Sequence, residues 1–408
     1  MPPVTDLCFI AFLREAKIRE KLMKISANFR LVLSRESVLN RSREYICRML
    51  FLNSISLLQF KNYTDRVFPV PARVMGICGK NGMGKTNLLD AIHYLCFTKS
   101  YFSRQDATSV QQGKAGFRIE GQFMLNDKTE KAVCLLRENG KKEFLINGQP
   151  YDKFSQHIGR YPCVVIAPDD ASLITGSSEE RRKFLDALLS QLDAGYLQQL
   201  IIYTKVLQQR NSLLKSFAET GQRNLSLLDV LDEQLLAPGE FVFNKRKEFL
   251  VSFLPAVKHA YQDIARQPEY IGLFYESELL QGSFRELIQA TRQKDLLSQR
   301  TAAGPHRDDI EINMGNLPFK NIASQGQRKS LLFALKLAEM DVLQQEKHFP
   351  PLLLLDDVFE KLDEDRIGNL LEKVCIRNEG QIFITDTNEE RLRKQLEKLD
   401  VDFGMILL

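Results

Sequence analysis

The 408 residues, 44% hydrophobic and 26% charged, have the composition of a globular protein able to bury one large core or two. No apolar run approaches the ~20 residues of a membrane span, and no charged, apolar and small-residue succession of a secretion signal opens the chain, so a cytosolic protein without a membrane partner is expected. The net charge of +4 is uneven: residues 1–48 hold ten Lys and Arg against five Asp and Glu, residues 49–408 hold 46 against 47, and nucleic-acid binding by the main body must therefore use a local patch.

Residues 1–48 show no sustained period, and Met49-Leu50-Phe51-Leu52 reads like a natural protein start, so an upstream extension that the fold does not need is expected. Leu50 to Phe60 alternate loosely and lead through Lys61-Asn62-Tyr63-Thr64-Asp65 to a second strand near Arg66–Val70, a hairpin at a sheet edge. Arg73–Cys78 is short, apolar and strand-like. It runs into Gly79-Lys80-Asn81-Gly82-Met83-Gly84-Lys85-Thr86, which fits the G-x-x-x-x-G-K-[ST] phosphate loop without a mismatch. The glycines let successive N–H groups point inward around the phosphates of a nucleoside triphosphate, Lys85 reaches the β- and γ-phosphates, and Thr86 offers a hydroxyl to Mg²⁺. Asn87–Ile92 continues as a helix whose positive end faces the bound anion.

After that helix, Lys99–Arg104 is basic and aromatic together. Turns at Asn126-Asp127, Asn139-Gly140 and Asn147-Gly148 predict meandering antiparallel strands, and Tyr161–Ala167 reads as a buried strand ending at Pro168-Asp169-Asp170. From Ser178 apolar residues recur at three and four, and residues 178–300 are expected to be mostly helical, with breaks at Gly221, Pro238-Gly239 and Pro268 that come too soon for a long coiled-coil arm. From Ile310 the chain returns to strand, helix and two very apolar runs, Pro351–Leu355 and Gln381–Thr385, of the kind found in buried parallel strands. Seven cysteines, never spaced C-x-x-C, argue against a disulfide framework or a zinc site.

Leu352-Leu353-Leu354-Leu355-Asp356-Asp357 places two carboxylates at the carboxyl end of a buried strand, where α/β folds keep their ligands. Asp356 would hold Mg²⁺, and Asp357 would orient or deprotonate the water attacking the γ-phosphate. Some thirty residues earlier, Ser324-Gln325-Gly326-Gln327 opens a helix. Ser324 has two readings there: an ordinary N-cap, the commoner role of such a serine, or part of an anion site for a γ-phosphate. Gly304-Pro305-His306-Arg307-Asp308-Asp309 likewise reads as a satisfied turn or as a nucleotide contact. The Lys99–Arg104 run and Lys245-Arg246-Lys247 could face phosphodiesters, although most charge runs are solvated faces.

With these motifs in hand, the sequence resembles the ATP-binding-cassette ATPases, and more closely the RecF family, DNA-repair relatives of the SMC proteins. The resemblance runs from about Met49 to the end of the chain. It is carried by Leu58–Tyr63, Gly79–Ile92, Pro168–Asp170, Arg181–Asp186, Gly304–Asp309, Ser324–Gln327 and Leu355–Phe359. It implies an α/β fold: an ABC-type phosphate-loop ATPase head with an antiparallel β subdomain and an inserted helical lobe, without a long coiled coil. The head would comprise residues 49–177 and 301–408, with the lobe at 178–300.

The resemblance further implies ATP and Mg²⁺ as cofactors and an ATP-dependent homodimer in which Ser324, Gln325, Gly326 and Gln327 close the partner chain's phosphate loop and Asp363 couples the two sites. The protein would clamp DNA at single-strand gaps and single-strand–duplex junctions. It would help place RecA with RecO and RecR in recombinational repair, replication and the SOS response, using weak DNA-stimulated ATP hydrolysis, with Lys85 and Asp357 catalytic, as a switch. Two departures stand out: Lys61 occupies a position where relatives commonly carry Arg, and Thr385-Asp386-Thr387 stands where transporter-type cassettes carry a switch His. The alternative reading, the nucleotide-binding subunit of an ABC transporter, would require that His. An SMC-like architectural protein would need long arms, and a phosphate-loop kinase would have no use for the Ser324 motif.

Overall fold

The alternation of Leu50, Leu52, Ile55 and Leu57 buries one face of the first strand, and its partner is set by a tight turn rather than by the longer one expected. In the computed structural model, which describes residues 49–265, 269–357, 371–376 and 378–408, β1 (Leu50–Phe60) folds back on β2 (Tyr63–Pro69) with Phe60 opposite Tyr63. Lys61 takes a positive φ of 51° at the corner. Residues Leu50–Leu408 form one unit. β3 (Val74–Cys78) leads through the glycine-rich loop into α1 (Lys85–Phe97).

The expected meander follows: β4 (Phe117–Leu125), β5 (Lys128–Leu136), β6 (Lys142–Ile146) and β7 (Gln149–Pro150). Asn126-Asp127, with φ of 50° and 60°, and Asn147-Gly148, with 51° and 82°, supply the left-handed pairs whose twist matches two-residue hairpins. These strands join the first hairpin in an antiparallel sheet of order β2-β1-β4-β5-β6-β7.

β8 (Cys163–Ile166) begins the second half, followed by α2 (Ser178–Leu192), α3 (Ala194–Thr220) and α4 (Leu225–Ala265). Then come β9 (Ile271–Glu276), α5 (Phe284–Ser298), β10 (Asp309–Met314), β11 (Leu317–Pro318) and α6 (Gln325–Lys347). β12 (Leu352–Leu355), β13 (Ile382–Asp386), α7 (Glu389–Lys398) and β14 (Phe403–Leu407) follow. The apolar runs pair in parallel in the order β14-β3-β13-β12-β8. Both faces of that sheet are covered, which is why its strands carry no polar alternation. Val74, Val164, Leu353 and Ile384 face a core shared with α2, α4 and α6, and Met75, Val165, Leu354 and Phe383 face a core shared with α1 and the antiparallel sheet.

One expectation for the lobe is corrected. The break at Gly221 is present, where φ is 71° and the amide caps α3 on the Phe217 carbonyl at 3.1 Å. The break at Pro238-Gly239 is not, because α4 runs for 41 residues through both Pro238 and Pro255. A proline deletes one backbone bond, and close packing holds the helix together across the gap: a Cβ on Gly239 would lie 2.4 Å from the Phe284 ring and 3.1 Å from that of Tyr203. The third expected break, Pro268, lies outside the described residues. The α3–α4 hairpin makes no free arm, since its residues pack into the main core and into a satellite core with Phe284 and Ile288 of α5. Residues 178–300 are mostly helical as expected, with β9 a strand among the helices that pairs antiparallel with β10.

Candidate nucleotide-binding site

The phosphate loop leaves β3 at the carboxyl end of the parallel sheet. Gly82 and Gly84 sit at φ of 83° and 110°, a region that side-chain-bearing residues avoid. The loop is fastened from outside by the turn of the first hairpin. Asn62 donates its Nδ2 to the Met83 carbonyl (2.9 Å) and accepts from Asn87 Nδ2 (2.8 Å), and the Tyr63 hydroxyl donates to the Gly84 carbonyl (3.0 Å). Burial pushes the Tyr63 phenol up, so it stays a donor. An alanine Cβ at Gly84 would fall 2.5 Å from Asn62 Nδ2, so besides the strain of its φ it would have to push aside the side chain that fastens the loop. Lys85 is buried to 5% exposure, with Nζ donating to the Gly79 carbonyl at 3.0 Å. Lys80 and Asn81 supply longer contacts to it at 3.5 Å, and Met83 at the loop tip is 46% exposed.

Thr86 and Asp356, 270 residues apart in sequence, meet: Thr86 Oγ1 donates to the two Asp356 oxygens at 2.9 and 3.1 Å. Burial raises the Asp356 carboxyl above the usual range, against the hydroxyls of Thr385 and Thr86, which lower it. A hydroxyl and a carboxylate side by side are oxygen ligands of the kind Mg²⁺ takes, and Thr86 and Asp356 would hold such an ion. Among the described residues no group of three or more His, Cys, Asp or Glu is placed to hold a metal by itself. Asp357 follows with a left-handed φ of 44°, and its amide donates to Thr385 Oγ1 at 2.8 Å. Asp363 lies outside the described residues.

Ser324 is exposed at the start of α6 and forms a capping box with Gln327: its hydroxyl accepts from the Gln327 amide at 3.1 Å and the Gln327 side chain accepts from the Ser324 amide at 2.8 Å. Gln325 is exposed and Gly326 half-buried. The structure thus shows the ordinary cap, and no hydrogen bond or ion pair joins Ser324–Gln327 to Gly79–Thr86 among the described residues.

Other motifs acquire places. Lys61 ion-pairs with the fully buried Asp90 (2.6 Å), which also accepts from Ser100 Oγ and the Tyr101 amide, so Lys61 and the start of the basic-aromatic run brace α1. Arg246 cannot face a phosphodiester, because it is buried to 2% exposure and bonds Asp186 (2.7 Å), Asp308 (2.9 Å) and the Pro305 carbonyl (2.7 Å). Burial opposes its charge, but Asp186, Tyr196 and Asp308 outweigh that and raise its pKa. Arg181 makes a two-pronged pair with Asp309 at 2.6 and 2.9 Å.

His306, lowered to about 4 by burial, is a neutral ring that bonds the Tyr203 hydroxyl through Nδ1 and the Thr301 carbonyl through Nε2. The Gly304–Asp309 segment therefore joins the lobe to β10. Arg307 is exposed and has no carboxylate partner among the described residues. Arg246→Ala is expected to cost about 3–5 kcal/mol of stability by stranding two carboxylates, measured as a shift in the urea midpoint.

Asp386, at the expected switch position, is buried and ion-paired with Arg391 at 2.5 Å. The clamp by Asn62 and Asn87 and the contacts of Thr385 escaped sequence reasoning: Asn62-Tyr63 reads as turn chemistry, Thr385 stands out only as part of the stretch where transporter-type cassettes carry a switch His, and only the spatial partners reveal either.

Comparison with known proteins bears on this arrangement. A family model described as the RecF/RecN/SMC N terminal domain matches residues 51–404. The chain is 43% identical to the DNA replication and repair protein RecF of Flavobacterium johnsoniae, covering 83% of this chain and 95% of that protein. It is 40% identical to the RecF of Bacteroides thetaiotaomicron, covering 87% and 95%. The solved structure of the recombination mediator protein RecF–ATP in the RecFOR pathway matches with a TM-score of 0.78 and 28% identity over 88% of this chain and 96% of that one.

Proposed function

The chain belongs to the RecF/RecN/SMC N-terminal domain family, and within it to the RecF DNA replication and repair proteins, and from that premise we propose that it is an ATP-dependent DNA clamp. The observation that carries this reading is the convergence of Lys85, Thr86 and Asp356 on one fastened phosphate loop, with an exposed Ser324 at the start of a 23-residue helix elsewhere on the same chain. Half of an ATP site is built in place, and the other half faces outward.

In this reading the amides of Gly79–Thr86 cradle the β- and γ-phosphates, and Lys85 exchanges its loop carbonyls for phosphate oxygens. Thr86 and Asp356 would hold Mg²⁺, which supplies positive charge to those oxygens when bound. Asp357 orients the attacking water and accepts its proton. Two chains join head to tail, each presenting Ser324, Gln325, Gly326 and Gln327 to the other's γ-phosphate. The vacated helix N-terminus then serves as the anion site. Asp363 lies in the loop that couples the two sites.

The dimer holds DNA at single-strand gaps and single-strand–duplex junctions, acts with RecO and RecR to place RecA there, and is released by slow hydrolysis. Recombinational repair, replication and the SOS response are the processes served. The relationship of a relative to ATP and to the RecFOR pathway supports the assignment. The test is light scattering of the protein alone, with Mg²⁺·ATP, and with Mg²⁺·ATP plus gapped duplex. The expected result is a monomer, a dimer, and a dimer whose population rises further on the gapped substrate. A monomer at saturating ATP under every condition would overturn the clamp.

A further inference from the structure

Thr385 is the last residue but one of β13 and is fully buried. Its hydroxyl lies between the two acids of the neighbouring strand end. It donates to Asp356 Oδ1 at 2.8 Å and accepts from the Asp357 amide at 2.8 Å. A hydroxyl has a single proton, and with the Asp357 N–H occupying its oxygen that proton is committed to Asp356. A continuous chain results: Asp357 amide to Thr385, Thr385 to the Asp356 carboxylate, and the same carboxylate back to Thr86 at the phosphate loop. Asp386, one residue on, takes no part, because its carboxylate is engaged by Arg391 and the Asn388 amide.

We propose that Thr385 is a positioning residue for ATP hydrolysis. It fixes the left-handed backbone of Asp357, so that this residue addresses the attacking water, and ties that backbone to the loop that senses the nucleotide. The inference rests on the assignment of Asp357 as the water-orienting acid. A left-handed conformation costs a non-glycine residue free energy, and the bond from the Asp357 amide offsets it. The hydroxyl does so without touching nucleotide, so its loss should fall on turnover and spare binding.

The experiment compares the full-length parental protein with Thr385→Val and Thr385→Ser. Valine keeps the branched shape and removes the hydroxyl, whereas serine keeps the hydroxyl and removes a methyl group. Steady-state hydrolysis is measured with gapped DNA, and affinity separately with a fluorescent N-methylanthraniloyl ATP in Mg²⁺. Expected for Thr385→Val is a fall in kcat of about 10- to 100-fold, the scale of one lost positioning hydrogen bond, with KM and fluorescent-nucleotide affinity within about threefold of the parent. Expected for Thr385→Ser is kcat within about threefold of the parent.

A kcat for Thr385→Val equal to the parent's, or a larger loss in Thr385→Ser than in Thr385→Val, overturns the proposal and makes Thr385 a packing residue. Equal losses of affinity and turnover in Thr385→Val, unrescued by serine, overturn it as well. Absence of hydrolysis by the parental protein overturns the hydrolytic reading together with this one. Parental hydrolysis matched by Thr385→Val overturns this one alone.

Discussion

Lys85→Ala is expected to lose ATP binding by on the order of 100-fold or more, the loss of a charge-assisted contact from a buried ammonium to two phosphates. The structure makes the expectation specific. Lys85 is 5% exposed and its ammonium is already held at the mouth of the loop by the Gly79 carbonyl, so little reorganisation separates the empty position from the one that meets phosphate. The backbone cradle of Gly79–Thr86 remains in the variant, but amide dipoles alone do not match the charge of the β- and γ-phosphates. Removing the ammonium also strips a donor from the Gly79 carbonyl. A melting curve without nucleotide therefore has to accompany a titration with fluorescent ATP. The expected pair of results is a modest change in melting temperature beside a collapse in affinity. Undiminished affinity would sink the phosphate-loop assignment.

Ser324→Arg is expected to spare ATP binding and to abolish both ATP-dependent dimerisation and hydrolysis. The separation follows from where the groups are bonded: the Ser324 hydroxyl and amide are engaged with Gln327 at the start of α6, while Lys85, Thr86 and Asp356 meet at the phosphate loop. Because Ser324 is exposed, arginine fits the monomer and costs only the cap, about 1 kcal/mol. Ser324→Ala loses that same cap without adding bulk or charge, and so isolates the helix-stability contribution. Mixing Ser324→Arg chains with Lys85→Ala chains leaves one composite site with an intact phosphate loop facing an intact serine, and ATP-dependent heterodimers are the expected product. Sedimentation showing that Ser324→Arg alone still dimerises with ATP would return Ser324 to a plain helix cap.

The sequence made legible what depends on short-range chemistry. Gly79–Thr86, the acids at the end of Leu352–Leu355 and the Asn-Asp and Asn-Gly corners each carry a backbone requirement within a few residues, and each is where the structure has it. What stayed hidden depends on partners far along the chain. Pro238-Gly239 reads as a helix end because its lost hydrogen bond is local, whereas Phe284 and Tyr203, which pack against it, come from other elements. Lys245-Arg246-Lys247 reads as a solvated basic run until Asp186 and Asp308 are seen to enclose its middle member. β9 is short and follows a very long helix, and it becomes a strand by pairing with β10. Thr385 is one hydroxyl in an apolar run, and its meaning lies in the acids beside it.

The strand that carries the phosphate loop has its two neighbours at the other end of the chain: Val74 pairs with Ile382 on one side and Phe403 on the other, and the Leu408 amide closes on the Cys78 carbonyl. The order of synthesis then matters. Until Ile382–Asp386 and Phe403–Leu407 have been made β3 has neither flank, and its bare polar edges are open to mispairing with other chains. A chain lacking Phe403–Leu407 would carry the whole phosphate-loop sequence on a strand with one side uncovered.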